Sequence, residues 1–361
     1  MNRISFLCVG LFIIFCLFTT SCDLPELQQQ ENVVDGRPVV GVVAGATSSF
    51  WKAVEYGASQ AAEKNDLHLI WQKTSHPDDF DQQVAAIRHF AVRRVQGMVI
   101  ATQNELMIRD AVKRAENQKI RILLIDCPPL TDTESMSSQI SVVSTDQFHA
   151  GQLAAEEMAG LLKEKGRVAI IRYSPLSVKT ENREKGFLEQ MQSYTDIDVV
   201  GHDLYTGTDS RVAREKMANF LRLYSENGTS QVDGIFISNE SVACEMLSFI
   251  EHKKSDKQIH VVAFGSDSRL ITGMLTYLID AVFVEQPVRM GQLAVDAMAE
   301  MLRGETIAPF LDSGVHRITI DNLFSPYTQA LLNPEAENSL EILLNEFQDD
   351  NKTDKNIEEY Q

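Results

Sequence analysis

Several signatures of nucleotide, hydrolytic and metal chemistry are missing from this sequence. Neither G-x-G-x-x-G nor G-x-x-x-x-G-K-[ST] occurs, which excludes the two glycine patterns that bring backbone N–H groups against phosphates. The G-x-S-x-G elbow, H-E-x-x-H and clustered His/Cys spacings are absent too, so the hydrolase and zinc signatures fall away. Positive charge is scarce: 33 Lys and Arg stand against 51 Asp and Glu, a formal net charge of −18. That balance opposes binding to nucleic acid, which relies on clustered basic side chains. Cysteine is sparse, at five. Cys8, Cys16 and Cys22 lie at the N-terminus, and Cys127 and Cys244 are too far apart to make a redox or metal motif, so the latter two read as small buried hydrophobes. No cofactor and no metal is expected.

The N-terminus carries Arg3 and then a 15-residue, mostly apolar run, "ISFLCVGLFIIFCLF". A membrane-spanning helix needs about 20 apolar residues, whereas an export signal needs only about 7–15 before a small-residue cleavage site. Residues 1–21 therefore read as a cleaved signal peptide. The following "TTSC" resembles the lipobox of bacterial lipoproteins, with Thr19 where Leu is usual, and this resemblance implies lipidation of Cys22. Residues 22–37 read as a polar linker.

From residue 38 the chain alternates. Short β-rich runs ("PVVGVVAG", "LHLIWQ", "VQGMVIAT", "IRILLID", "ISVVSTD") are separated by helical patterns near 50–64, 79–94 and 105–118. A second series ("RVAIIRY", "DIDVVGHDLY", "VDGIFISN", "IHVVAFG", "IDAVFVEQ") repeats the plan, with helices near 182–194, 209–226, 239–253 and 267–277. Strand–helix–strand repetition predicts parallel sheets covered by helices, here twice, with a cleft at the carboxyl ends of the strands. Beyond Asn333 nine acids and two lysines suggest an acidic, solvated or loosely helical tail, residues 334–361.

The first strand–turn–helix, "VVAGATSSFWKAVEYGA", places Phe50 and Trp51 where phosphate-binding glycines would otherwise stand. An aromatic face suits the C–H side of a polyol ring, with hydroxyls and amides around it for the oxygens. The same pair could equally be core residues of the first helix. Asp126, Asp146, Asn239 and Gln286 close other strands. Each alone is explained by a cap or turn, but together they converge on one cleft.

In that order and spacing, "SSFWKAVEYGA", "STDQFHAGQLAAEEM", "NREKGF", "IFISNE", "VEQPVRMGQLAVDAMAEMLRGE" and "LDSGVHRITIDNL" resemble the type I periplasmic sugar-binding proteins, ribose-binding-like, of bacterial ABC importers. The resemblance runs from about 38 to 330. It implies an α/β fold of two Rossmann-like lobes, 38–144 plus 287–313 and 145–286 plus 314–333. A three-strand hinge would cross near Val143–Asp146, Glu285–Pro287 and Ser313–Val315. It implies that Phe50 and Trp51 sandwich a sugar while Asp126, Asn239 and Gln286 hydrogen-bond it. Asp146 is assigned to the ligand or the hinge, and Arg183 to the ligand or a structural ion pair. The chain departs from the family where ribose-binding members have Asn (here Ser48 and Ala101), Arg (Cys127) and Asp (Gly265). Asp267 could replace that carboxylate, and Gln103 or Asn104 the missing amide, so ribose itself is not the expected ligand. The implied protein is a non-catalytic monomer, lipid-anchored in the periplasm or at the cell surface, delivering a monosaccharide or related polyol to an ABC permease. The alternative is a sugar sensor handing its closed state to a membrane receptor.

Overall fold

The alternating runs resolve into strands and helices close to the expected places. In the computed structural model the described residues are 33–45, 48–75, 79–102, 104–127, 140–175, 177–207, 210–226, 229–250, 259–336, 338–340 and 342–343. They all fall within one compact unit, Asn32–Gln361. The signal segment, Cys22 and Gln103 lie outside the described residues, as does the chain beyond 343.

The first series comprises β1 (Val33–Val34), β2 (Arg37–Ala44), α1 (Ser49–Lys64), β3 (His68–Lys73), α2 (Phe80–Val92), β4 (Gly97–Ala101), α3 (Glu105–Asn117), β5 (Arg121–Ile125) and β6 (Ser141–Ser144). The second comprises α4 (Gln147–Leu161), β7 (Gly166–Arg172), α5 (Val178–Met191), β8 (Ile197–Tyr205), α6 (Ser210–Leu223), β9 (Ser225–Glu226), β10 (Thr229–Ser230), β11 (Gly234–Ile237), α7 (Glu240–Ile250), β12 (His260–Phe264), α8 (Ser268–Leu275) and β13 (Ala281–Glu285). The chain closes with α9 (Pro287–Leu302), β14 (Phe310–Asp312), β15 (Val315–Thr319) and α10 (Pro326–Leu332).

Two sheets result. In the first, β2, β4, β5, β6 and β14 run side by side and parallel, with β3 parallel to β2 and β1 antiparallel to it. In the second the order is β15-β13-β12-β11-β7-β8, parallel except for β15. The strands are buried Val/Ile/Leu-rich runs, as sheets covered on both faces require. The chain passes between the sheets three times, after β6, after β13 and between β14 and β15. Asp312 ties two of these passages together, its Oδ1 accepting from the backbone N–H of Asp146 and of Gly314, each at 2.8 Å. The hydroxyls of Thr145 and Ser313, both buried, are 3.1 Å apart beside them.

Small residues set one close helix crossing in each half. On α1 and α9, a Cβ added to Gly57 or Gly291 would strike the carbonyl oxygen of Val288 or Val54. On α4 and α5, one added to Gly151 or Gly186 would strike that of Arg183 or Phe148. The "YGA", "AGQ" and "KGF" motifs are therefore packing devices.

Two expectations need correction. The linker does not extend to residue 37, because Val33 and Val34 already pair with Pro38 and Arg37 in a short hairpin. The tail is not simply solvated: Ser339 and Leu343 are buried, and Leu343 joins the same apolar cluster as Leu331. Leu340, Ile342 and Leu343 pack on that cluster, and their aliphatic surface opposes the pull of the surrounding acids towards water.

Candidate functional site

Helix α1 starts because Ser48 caps it, its Oγ accepting from the Trp51 N–H at 3.2 Å. This first turn presents Ser49 and Phe50 to a cavity of about 440 Å³ between the two halves. From the second half come Lys179, Arg183, Asn239, Glu240 and Phe264, together with Glu285 at the second passage. This is where open α/β sheets collect ligands, beyond the carboxyl ends of their strands.

Charge is concentrated on one side. Lys179 Nζ donates to Asp126 Oδ1 at 2.7 Å and lies 3.4 Å from Glu285 Oε1, linking the end of β5, the start of α5 and the end of β13. Gln147 Nε2 donates to Glu285 at 2.6 Å, and Arg183 lies 3.6 Å from the same carboxylate. Arg183 also donates to Gln147 Oε1 and to the Ser238 carbonyl, and its guanidinium sits 3.8 Å from the centroid of the Phe264 ring. Burial pushes the Asp126 carboxyl up against the pull of Lys179. Burial acts in the same sense on Glu285, but Lys179 and Arg183 outweigh it and hold this carboxyl below its ordinary value. Burial draws Arg183 down to about 10, with Glu285 and Glu184 opposing. Burial would lower Lys179 as well, yet Asp126 and Glu285 leave it above its ordinary value, so it is an ammonium at neutral pH.

Of the residues singled out from sequence, Phe50, Arg183 and Asn239 line this cavity. Asn239 also caps α7, its Oδ1 accepting from the N–H and hydroxyl of Ser241 at 3.0 and 2.7 Å. Asp126 is buried behind Lys179, with φ +53. Asp146 caps α4 through the His149 N–H at 3.0 Å and borders a smaller cavity of about 60 Å³ beside Cys127. Both Cys127 and Cys244 are buried.

Three expected contacts lie elsewhere. Trp51, only 6% exposed, belongs to the apolar core of the first half, where its indole packs against Gly45. Next to it Phe50 meets the indole edge-on, centroids 5.7 Å apart, and takes the cavity side alone. Asp267 caps α8 and pairs with Arg269 at 2.7 Å, which holds its carboxyl at about 2. Gln286 is buried and accepts from the Tyr327 hydroxyl at 2.7 Å, whereas its neighbour Glu285 faces the cavity.

A carboxylate from another element stands beside Gly265. Glu240 lines the cavity, and its Oε2 accepts from the N–H groups of Ser266 and Asp267 at 2.5 and 3.0 Å. A Cβ at Gly265 would lie 2.6 Å from that same oxygen. Lys179, Glu240 and Glu285 were not singled out from the sequence. A charged residue within one or two positions of a strand end or helix cap is the signal all three share. Among the described residues no group of His, Cys, Asp and Glu could hold a metal ion.

Known proteins resemble this chain in sequence and fold. Residues 39–306 match the periplasmic binding protein domain family. The chain is 20% identical to the ribose import binding protein of Bacillus subtilis over 81% of its own length and 92% of the relative's. A crystal structure of an ABC transporter solute-binding protein from Burkholderia graminis, in complex with D-arabinose, is 25% identical. It superposes with a TM-score of 0.65 over 81% of this chain and 99% of that one. The periplasmic component of an ABC-type sugar transport system from Hahella chejuensis is 27% identical, with a TM-score of 0.61 over 78% of this chain and 99% of the other. With a family match across most of its length and two sheets joined by three passages around one cavity, the chain belongs to the periplasmic binding protein domain family.

Proposed function

We propose that this protein is an extracytoplasmic substrate-binding protein that captures a monosaccharide or related polyol between its halves and delivers it to an ABC permease. One observation carries the reading: the 440 Å³ cavity at the strand ends is lined by Phe50 from the first half, with Phe264 and Phe283, and by a polar wall of Lys179, Arg183, Asn239, Glu240 and Glu285. A ring stacked on Phe50 presents its hydroxyls to that wall, where charged partners make the stronger hydrogen bonds. Asp126 acts through Lys179, and Asp146 serves the passages between the halves. The relatives named for ribose import and bound to D-arabinose support the ligand class. The protein binds and releases without catalysis, as a monomer, and Cys22 anchors it by a lipid to a bacterial membrane, in the periplasm or at the cell surface.

Thermal-shift screening of residues 23–361 against pentoses, hexoses and polyols tests the ligand class. A saturable rise in melting temperature with at least one neutral sugar is expected. Stabilisation by charged or apolar compounds only would end the assignment.

A further inference from the structure

One wall of the cavity comes from an unexpected place. Leu331, Leu332 and Pro334 line it, and all three follow β15, beyond residue 306 where the family match stops. This segment is firmly held. Ser325 caps α10 through the Thr328 N–H at 3.2 Å. His316 Nε2 lies 3.0 Å from the Thr328 hydroxyl, and Tyr327 donates to Gln286 at the second passage. Leu331 and Leu343 share an apolar cluster with Ala53 of α1 and Val288 of α9, both from the first half. Lys52 of α1 and Glu335 form an ion pair at 2.7 Å at the rim. The segment thus leaves the second sheet, touches the first half and closes one side of the cavity with aliphatic carbon.

Resting on the binding function proposed above, we infer that residues 331–334 form a specificity wall that selects sugars carrying a deoxygenated carbon or methyl group on one side. The charged and amide groups of the cavity lie on α5, at the start of α7 and at the end of β13, with Ser49 on α1, and they satisfy hydroxyls there. Leu331, Leu332 and Pro334 offer no side-chain donor or acceptor, so a hydroxyl pressed against them loses water without gaining a partner. A methyl or methylene in the same place is buried favourably. Leu332 and Pro334 are half-exposed and so are free to meet the ligand.

The test measures affinities by titration calorimetry on residues 23–361, which keep the whole compact unit, for matched pairs differing by one hydroxyl. D-galactose with D-fucose, L-mannose with L-rhamnose, and D-glucose with 2-deoxy-D-glucose are suitable. At least fivefold tighter binding of the less hydroxylated member is expected in one pair or more. Leu332→Ser removes that preference while the fully hydroxylated sugar still binds, and Leu332→Met preserves it. Pro334→Ser, at the half-exposed rim, gives the same loss of preference without disturbing the core. Equal affinities within every pair, or a preference that survives both serine variants, would overturn the wall and leave sugar binding standing. Failure of the unaltered chain to bind any sugar overturns both readings.

Discussion

Lys179, at the cavity wall, is bonded to Asp126 behind it, its Nζ donating to Oδ1 at 2.7 Å, while Glu285 lies 3.4 Å from the same ammonium. One ammonium thereby faces two carboxylates from different strands, with Arg183 as a second cation 3.6 Å from Glu285. Removing one partner of such a cluster leaves uncompensated charge. Lys179→Met is expected to lower stability at pH 7 by about 1–3 kcal/mol, below the range for fully buried pairs because Lys179 keeps some solvent contact. The loss shrinks towards pH 4, since without the ammonium both carboxyls titrate higher and protonate on acidification. Urea unfolding at the two pH values checks this, and an equal loss at both would refute it.

Phe50 and Trp51 are adjacent but perform separable tasks. Trp51 fills the core of the first half, so Trp51→Ala is expected to cost about 3–5 kcal/mol of stability. Phe50→Ala, on the cavity side, is expected to cost under about 1 kcal/mol of stability yet weaken sugar affinity about tenfold, the worth of one good aromatic contact. Denaturant melts and calorimetric titrations on the same two variants separate the roles.

The same pair marks where sequence reading stops. Period-2 and period-3.6 patterns, with Gly and polar breaks, located both sheets and nearly every helix, because burial on both faces forces those patterns on the chain. Adjacent residues are harder. At the start of α1 successive side chains point about 100° apart, so "FW" alone does not say which ring faces the ligand. At the end of β13 successive side chains take opposite sides, and the motif "VEQP" concealed that Glu285 rather than Gln286 reaches the cavity. Lys179 and Glu240 depend on contacts between elements distant in sequence, which no local period encodes. The tail's role was hidden by its charge: nine acids obscured an aliphatic stripe.

Gly265 stands where the resemblance to ribose-binding members implies Asp, yet placing that acid there is expected to fail. Its φ of +132 lies in the region that side chains rarely adopt, and an added Cβ would meet the Glu240 side chain at 2.6 Å. Gly265→Asp is expected to destabilise by about 2 kcal/mol or more. Combining it with Glu240→Ala removes the clashing Cγ and carboxylate but leaves the Glu240 Cβ at 2.6 Å and the backbone strain, so the double variant recovers only part of the loss. Thermal melts of the two variants measure both contributions.

His316 makes the strap on the cavity sensitive to pH. Burial, and then the neighbouring Arg317, hold its imidazole below the ordinary value, and its Nε2 lies 3.0 Å from the Thr328 hydroxyl on α10. The unfolded chain takes up a proton near pH 6.5, while the folded chain resists until lower pH. Below about pH 6.5 the unfolded state therefore binds more protons, and stability falls as pH drops towards the folded-state value. Above pH 6.5 this contribution is fully present and flat. His316→Gln keeps a hydrogen-bonding group against Thr328 but cannot titrate, so the difference in unfolding free energy between variant and parent is expected to change between pH 7.5 and 5.5 in the variant's favour. A difference independent of pH across that interval would show that the folded imidazole titrates at its ordinary value, leaving α10 with no proton-linked hold.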